Sequence, residues 1–268
     1  MSGERGSDLA AVAVRDSAGR PCPIPLELRT RGPALPLPRA RYSVPGPEAL
    51  ARGDETVYVQ GGEFTPEMIV AGYRLGYFPW PRGEEDELWW CSPNPRAILP
   101  VETFTVPRRL GRTIRSGRFR VTVDAAFHEV IVCCSERREG TWLTPNLMAA
   151  YRELHRLGWA HSFEVWLGET LAGGLYGLAV GAMFGAESMF TLYTDASKVA
   201  VAAMVQHCRA LGVELIDIQV LNPHTARIGG VEVPRREYLA RLERALHREV
   251  RWFKGGSAGL PDAAQGHG

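Results

Sequence analysis

The chain has 268 residues, 45% hydrophobic and 23% charged, with a formal net charge of +1; it can bury one sizeable core and a smaller second one, and any polyanion must be met by a local patch. No apolar run approaches the roughly 18–20 residues that span a bilayer, and the N-terminus lacks a signal-peptide pattern. Five cysteines, two of them adjacent at Cys133 and Cys134, make a poor disulfide framework, so the expectation is a cytoplasmic protein with reduced thiols and no membrane contact.

Residues 1–41 are rich in Gly, Pro, Arg and Ala without a sustained period of two or 3.6, and read as a disordered or loosely attached extension. Residues 254–268 read as a flexible tail. A small N-terminal domain is expected over residues 42–97. It holds a strand at residues 57–60 and a helix capped by Thr65, with Pro66 at its first position. Tyr73, Tyr77, Phe78, Trp80, Trp89 and Trp90 then crowd among prolines. Such rings can staple a small domain, which is the simpler account. They can also stack on nucleobases at about 1–3 kcal/mol per base, with Arg96 beside them.

Residues 107–120 (PRRLGRTIRSGRFR) carry Arg108, Arg109, Arg112, Arg115, Arg118 and Arg120 and no acid. A charge run is ordinarily a solvated face. Six guanidiniums without a counter-charge in the run also suit a phosphate backbone, whose geometry the Arg fork matches.

A regular domain is expected over residues 98–253. Residues 119–123 alternate as a strand, after which Asp124 is placed to cap a helix to about residue 136. Thr144 and Pro145 open a second helix that Gly158 ends. Strands at residues 162–167, 171–180 and 183–190 follow with loops short enough for hairpins, which gives an antiparallel meander. Asp195 caps a helix to Ala210, Gly212 closes it, and a strand runs over residues 214–222. A strand, helix, strand passage of this length implies a parallel pair. The last helix opens at Pro234 and runs to about residue 247.

Alternation along residues 214–222 puts Asp217 and Gln219 on one face, where burial is costly without partners. They are either a satisfied polar pair or part of a site. The same alternation gives Met183, Gly185, Glu187 and Met189 one face of the preceding strand. Gly173, Gly174, Gly177, Gly181 and Gly185 fit either sheet bending or close approach of a ligand. His155 and His161 are too far apart for a helix-face metal pair, so no metal and no cofactor are expected.

This order of elements resembles the GNAT-like acyltransferase fold. The expected class is α+β, a GNAT-like domain with a mixed sheet and flanking helices, preceded by the small N-terminal α/β domain. In that fold a splayed gap between two strands, here residues 183–190 and 214–222, receives the acyl donor. More specifically, the strings YFPW (77–80), LWWCSPNPRAIL (88–99), EGTWLT (139–144), HSFEVW (161–166), GGLYG (173–177), GAESMF (185–190), LIDIQVLN (215–222) and PRREYL (234–239) together resemble the leucyl/phenylalanyl-tRNA protein transferase family. The resemblance covers about residues 73–242.

It implies transfer of Leu, Phe or Met from aminoacyl-tRNA to the N-terminal Lys or Arg of acceptor proteins, marking them for N-degron proteolysis; a monomer is expected. It also implies that Trp80 and Trp142 bind the aminoacylated adenosine with Tyr73 and Tyr151 as aromatic neighbours. Leu175 and Met189 would line the donor side-chain pocket, with Asn222 a further substrate-binding candidate. Glu187, Asp217 and Gln219 would be catalytic, and Arg96, Arg108, Arg109, Arg112 and Arg115 would contact tRNA. The chemistry is consistent on its own terms. An aminoacyl ester is already activated, and an α-amine with a pKa of about 7.7–8 is partly unprotonated at neutral pH, so positioning and a proton acceptor suffice. Gln219 could accept from the amine while Asp217 orients its amide and Glu187 holds a cation. Two rivals remain. A coenzyme A-dependent N-acyltransferase of the same fold would want a Gly-rich pyrophosphate loop, which RIGGVE (227–232) is not. A non-catalytic RNA-binding module has no use for Glu187, Asp217 and Gln219.

Overall fold

The computed structural model describes residues 12–29, 33–46, 55–81, 87–136 and 142–252. Its frame is an α+β arrangement around an eight-stranded mixed sheet. In chain order the strands are β1 (Val14–Asp16), β2 (Pro21–Cys22), β3 (Leu26–Leu28), β4 (Val57–Gln60), β5 (Phe78–Pro79), β6 (Trp89–Ser92), β7 (Arg96–Leu99), β8 (Thr105–Val106), β9 (Arg120–Val123), β10 (Ala160–Leu167), β11 (Thr170–Val180), β12 (Met183–Thr191), β13 (Leu215–Gln219) and β14 (Val231–Val233). The helices are α1 (Pro66–Arg74), α2 (Arg108–Arg115), α3 (Phe127–Ser135), α4 (Pro145–Arg156), α5 (Ala196–Leu211), α6 (Pro223–Arg227) and α7 (Arg235–Leu246). The large sheet runs β14-β7-β13-β12-β11-β10-β9-β3, and two three-stranded sheets, β2-β1-β8 and β4-β6-β5, flank it.

The local signals act as the residue chemistry dictates. Thr65 and Thr144 each accept a backbone N–H of the first turn, and a proline follows each, because that position has no helical hydrogen bond to lose. Strands β10, β11 and β12 form the antiparallel meander, and α5 carries the chain from β12 to its parallel neighbour β13. Gly212 closes α5 in the left-handed conformation, which costs glycine little.

Alternating residues of the sheet feed two cores. Tyr176, Leu178, Met183, Leu215 and Ile98 join Tyr73, Trp90, Leu147, Tyr151 and Tyr238 from α1, β6, α4 and α7. Leu175, Ala179, Phe184, Ile216 and Leu99 join Val201, Met204 and Val205 of α5 on the other face. The aromatics Tyr73, Tyr77, Phe78 and Trp90 are all buried, so most of this cluster packs the first core.

Three expectations need correcting. The segment expected to be loose is docked at several of its described positions. Val14, Cys22 and Ile24 are buried, β3 adds to the large sheet beside β9, and Trp159 Nε1 donates to the Leu35 carbonyl at 2.8 Å. Short strands without an amphipathic period leave no local signal, yet β9 and β8 offer edges for them to pair with. The tail expected at residues 254–268 lies outside the described residues. Asp124 does not cap α3. Its φ is 59° and its carboxylate turns to His161 Nδ1 at 2.8 Å and the Ser162 N–H at 2.9 Å. Glu164 on β10 accepts the Ala125 and Ala126 N–H groups instead, each at 3.3 Å. Asp195 sits at the N-cap of α5 but pairs with Lys198 at 3.0 Å rather than with the backbone.

Candidate active site

Strands β12 and β13 pair through only three positions, Met183↔Leu215, Phe184↔Ile216 and Gly185↔Asp217, although β12 continues to Thr191. Beyond the last pair lies a cavity of about 1070 Å³, lined by Glu187, Ser188 and Met189 on one strand and by Ile218, Gln219 and Val220 at the end of the other. A β-bulge marks each side. Tyr176 faces Ser188 and Gly177 faces Ala186, so Glu187 is the extra residue of β12. Asp217 faces Ile98 and Gln219 faces Ala97, so Ile218 is the extra residue of β13. Bulges bend a strand and re-aim its side chains. The first reverses the alternation expected for β12, because Met183 joins one core and Met189 packs against the other. On β13, Asp217 and Gln219 do turn to the same side.

Asp217 is fully buried and saturated. Its carboxylate receives Arg96 Nε at 2.9 Å and Nη2 at 2.6 Å, the Tyr238 hydroxyl at 3.0 Å and the Gln219 backbone N–H at 2.9 Å. Arg96, equally buried, donates also to the Gly76 carbonyl at 3.1 Å and lies 4.8 Å and 4.4 Å from the Phe78 and Tyr238 ring centroids. Burial works against its charge, but the Asp217 carboxylate outweighs it and drives the guanidinium pKa further up. An ion pair this enclosed needs complete hydrogen bonding to be tolerated. Gln219 has φ 63°, a conformation strained for a residue with a Cβ and common near functional sites.

Glu187 is the second centre. The Tyr73 hydroxyl donates to its Oε1 at 2.5 Å, and Gln219 Nε2 donates to its Oε2 at 3.1 Å and to the Tyr73 oxygen at 2.8 Å. Burial raises the Glu187 pKa from 4.5 to about 7, with the Asp217 charge adding to it while hydrogen bonds from Tyr73 and Gln219 oppose it. Tyr73 is held protonated by its own burial and by the Glu187 and Asp217 charges, so it remains a donor. Both Nε2 protons of Gln219 are committed, which leaves its Oε1 as the free acceptor of a side chain that lines the cavity. The carboxamide is therefore oriented by Tyr73 and Glu187, not by Asp217.

The other candidates divide sharply. Leu175 and Met189 face each other across β11 and β12 and form an apolar wall with Val201, Met204 and Ile218. Trp80 and Trp142 also line the cavity, with near-parallel rings 14° apart in orientation and 6.3 Å between centroids. Asn222 also lines the cavity, but its Oδ1 is used to cap α6 through the His224 and Thr225 N–H groups. Tyr73 and Tyr151 are wholly buried beneath Glu187 and offer no face to a base. Arg96 is wholly buried too and cannot reach a phosphate backbone. Arg115 is bound to Asp16 at 3.1 Å and Cys22 at 2.9 Å, and Arg120 to Glu27 at 3.0 Å, so the run is not a row of six unpaired cations. Arg108, Arg109 and Arg112 are exposed. Sequence reasoning missed Arg96 and Tyr238 as the partners of Asp217, which lie 121 and 21 residues away in the chain. The only signal for Tyr238 was its place in PRREYL.

Two family models match the chain, one described as leucyl/phenylalanyl-tRNA protein transferase over residues 98–243 and one as the N-terminal domain of the same transferase over residues 62–94. A curated protein of Anaeromyxobacter sp. (strain K) named leucyl/phenylalanyl-tRNA--protein transferase is 49% identical over 236 residues, covering 85% of this chain and 99% of its own. One of the same name from Proteus mirabilis (strain HI4320) is 42% identical over 212 residues, covering 79% of this chain and 92% of its own. Among solved structures, an aminoglycoside acetyltransferase from an uncultured soil metagenomic sample, in complex with sisomicin, is similar at a TM-score of 0.34 and 10% identity over 56% of this chain and 99% of that one.

Proposed function

Since the chain belongs to the leucyl/phenylalanyl-tRNA protein transferase family, we propose that it takes Leu, Phe or Met from an aminoacyl-tRNA and joins it to the N-terminal Lys or Arg of an acceptor protein. The transfer is an aminolysis. The acceptor α-amine attacks the ester carbonyl, a peptide bond forms, and the ribose oxygen of the terminal adenosine leaves with a proton that the amine has given up. The observation that carries this reading is the cavity at the end of the β12–β13 pair, with an apolar wall at Leu175 and Met189 and Gln219 and Glu187 on its floor. The splayed strands are the feature expected of a GNAT-like domain.

The roles follow from which atoms are free. Gln219 Oε1 accepts an N–H of the attacking amine and aims its lone pair at the carbonyl carbon. Glu187, with a pKa of about 7, is poised to take the proton at neutral pH, where an acceptor is most effective. Asp217 has no free capacity for a proton, since Arg96, Tyr238 and the Gln219 N–H occupy it. It is a positioning residue that fixes the strand end from which Gln219 projects. The wall of Leu175 and Met189 suits an apolar donor side chain that is not branched at Cβ, such as Leu, Phe or Met, and Met189 adapts to each. Trp80 and Trp142 supply aromatic faces for the adenosine.

The test is incubation of the protein with Leu-, Phe- and Met-charged tRNA and an Arg-initiated peptide, followed by mass analysis of the peptide. Addition of the donor residue at the peptide N-terminus is expected. Transfer from acetyl-coenzyme A at a rival rate favours the coenzyme A reading, and tRNA binding without transfer favours the RNA-binding module.

A further inference from the structure

Helix α2 is poorly equipped to stand alone. It spans eight residues with Gly111 inside it, its N-cap Pro107 makes no side-chain hydrogen bond, and its first turn contains no acid but does contain Arg108 and Arg109. Short helices are marginal in water, glycine weakens a helix interior, and cations at the N-terminus oppose the helix dipole. Its stability must come from what it packs on.

Much of that packing is the N-terminal segment. A Cβ on Gly111 would lie 2.9 Å from Asp16 Cβ and 3.0 Å from Cys22 Sγ, so the bare helix backbone rests on β1 and β2. Arg115 reaches back from the last turn to Asp16 at 3.1 Å and to Cys22 at 2.9 Å. The segment is in turn fixed to the body of the protein. Gln206 of α5 makes a reciprocal pair with the Ile24 backbone at 2.9 and 2.6 Å, Arg209 donates to the Ala13 carbonyl at 3.4 Å, and β3 pairs with β9. Asp16 is the joint. It accepts the N–H groups of Ala18 at 3.0 Å and Arg20 at 3.1 Å together with the Arg20 and Arg115 guanidiniums.

We propose that residues 13–28 are a brace for tRNA binding: β1, β2 and Asp16 hold α2 so that the exposed Arg108, Arg109 and Arg112 meet successive phosphates. The inference rests on the transferase reading and on those arginines contacting tRNA. Asp16 is a positioning residue and touches no substrate.

Two effects of removing Asp16 have opposite sign, and that decides the test. Simple electrostatics says that deleting an acid beside a basic helix tightens binding of a polyanion. A brace says that binding weakens, because the arginines lose their fixed spacing. In the full-length protein, Asp16→Ala should raise the KM for charged tRNA by about tenfold and leave kcat at saturation unchanged. The rate with a 3′-aminoacyl-adenosine donor, which carries no phosphate for the arginines to meet, should be unchanged as well. Asp16→Asn keeps an oxygen for the Ala18 and Arg20 N–H groups and should fall between. Arg108→Ala/Arg109→Ala/Arg112→Ala should raise the tRNA KM on its own, and adding Asp16→Ala to it should do little more. A lower KM in Asp16→Ala, or equal loss with the small donor, overturns the brace while leaving the arginine contacts standing. An unchanged KM in the triple variant overturns both.

Discussion

Glu187 and Asp217 are both buried carboxylates, yet their surroundings give them different work. Asp217 is matched by a guanidinium, whereas Glu187 has only neutral donors, and burial lifts its pKa to about 7. A folded-state pKa above the unfolded value means the native state binds the extra proton, so this contribution to stability is full below about 4.5 and is lost as pH rises through about 7. Glu187→Gln should therefore lower single-turnover transfer by about 10²–10⁴-fold with tRNA affinity intact. By scanning calorimetry its melting temperature should gain on the parent as pH goes from 4.5 to 8. A pH-independent difference would mean the carboxylate is not desolvated. Arg96 makes the opposite case. Arg96→Met leaves Asp217 buried and unpaired, at a cost of about 3–5 kcal/mol, while Arg96→Met/Asp217→Leu should recover much of that in denaturant titrations. If the single and double variants are equally unstable, the pair is not coupled.

At the scale of elements, the site depends on two strands that stop pairing and two bulges that aim Glu187 and Gln219 at one point. Glycines make the approach possible. A Cβ on Gly185 would sit 2.9 Å from Tyr73 Cε1, so Gly185→Ala must push the phenol away from Glu187. Turnover should fall, as it should in Tyr73→Phe, with destabilisation of about 1–3 kcal/mol from overpacking; full activity in a folded Gly185→Ala protein would show that the Tyr73 donor is dispensable. On the proposed reading, the wall between β11 and β12 sets donor choice by volume. Met189→Ala should change the Phe-to-Leu transfer ratio by no more than the roughly 10- to 200-fold span typical of methylene-sized differences. A fixed ratio in an active variant would locate the pocket elsewhere.

For the whole molecule, a net charge of +1 leaves tRNA affinity to local arrangement. With Arg115 and Arg120 engaged by Asp16 and Glu27, the other exposed cations of α2 are Arg108, Arg109 and Arg112. Their replacement by Ala should reduce the slope of log affinity against log salt by about 0.7–0.9 for each phosphate that is no longer neutralised, read by filter binding at several salt concentrations. An unchanged slope returns them to a solvated face.

Some features depend only on neighbours in the chain and are legible without the fold. Thr65-Pro66 and Thr144-Pro145 open helices wherever they occur before an apolar period, Gly212 can end one because it alone tolerates that backbone cheaply, and alternation put Asp217 and Gln219 on a common side. The specific strings carried the family. Which partners those residues have follows from contacts between distant parts of the chain. A bulge is one extra residue in a ladder and has no composition of its own, so the side on which Met189 falls was invisible before the register was known. Arg96 looked like a nucleic-acid contact because its charge is local information, whereas its counter-ion lies 121 residues on. The N-terminal strands looked loose for the same reason. Their stability comes from edges and side chains supplied by β8, β9 and α5, and edge pairing is a property of the assembled sheet.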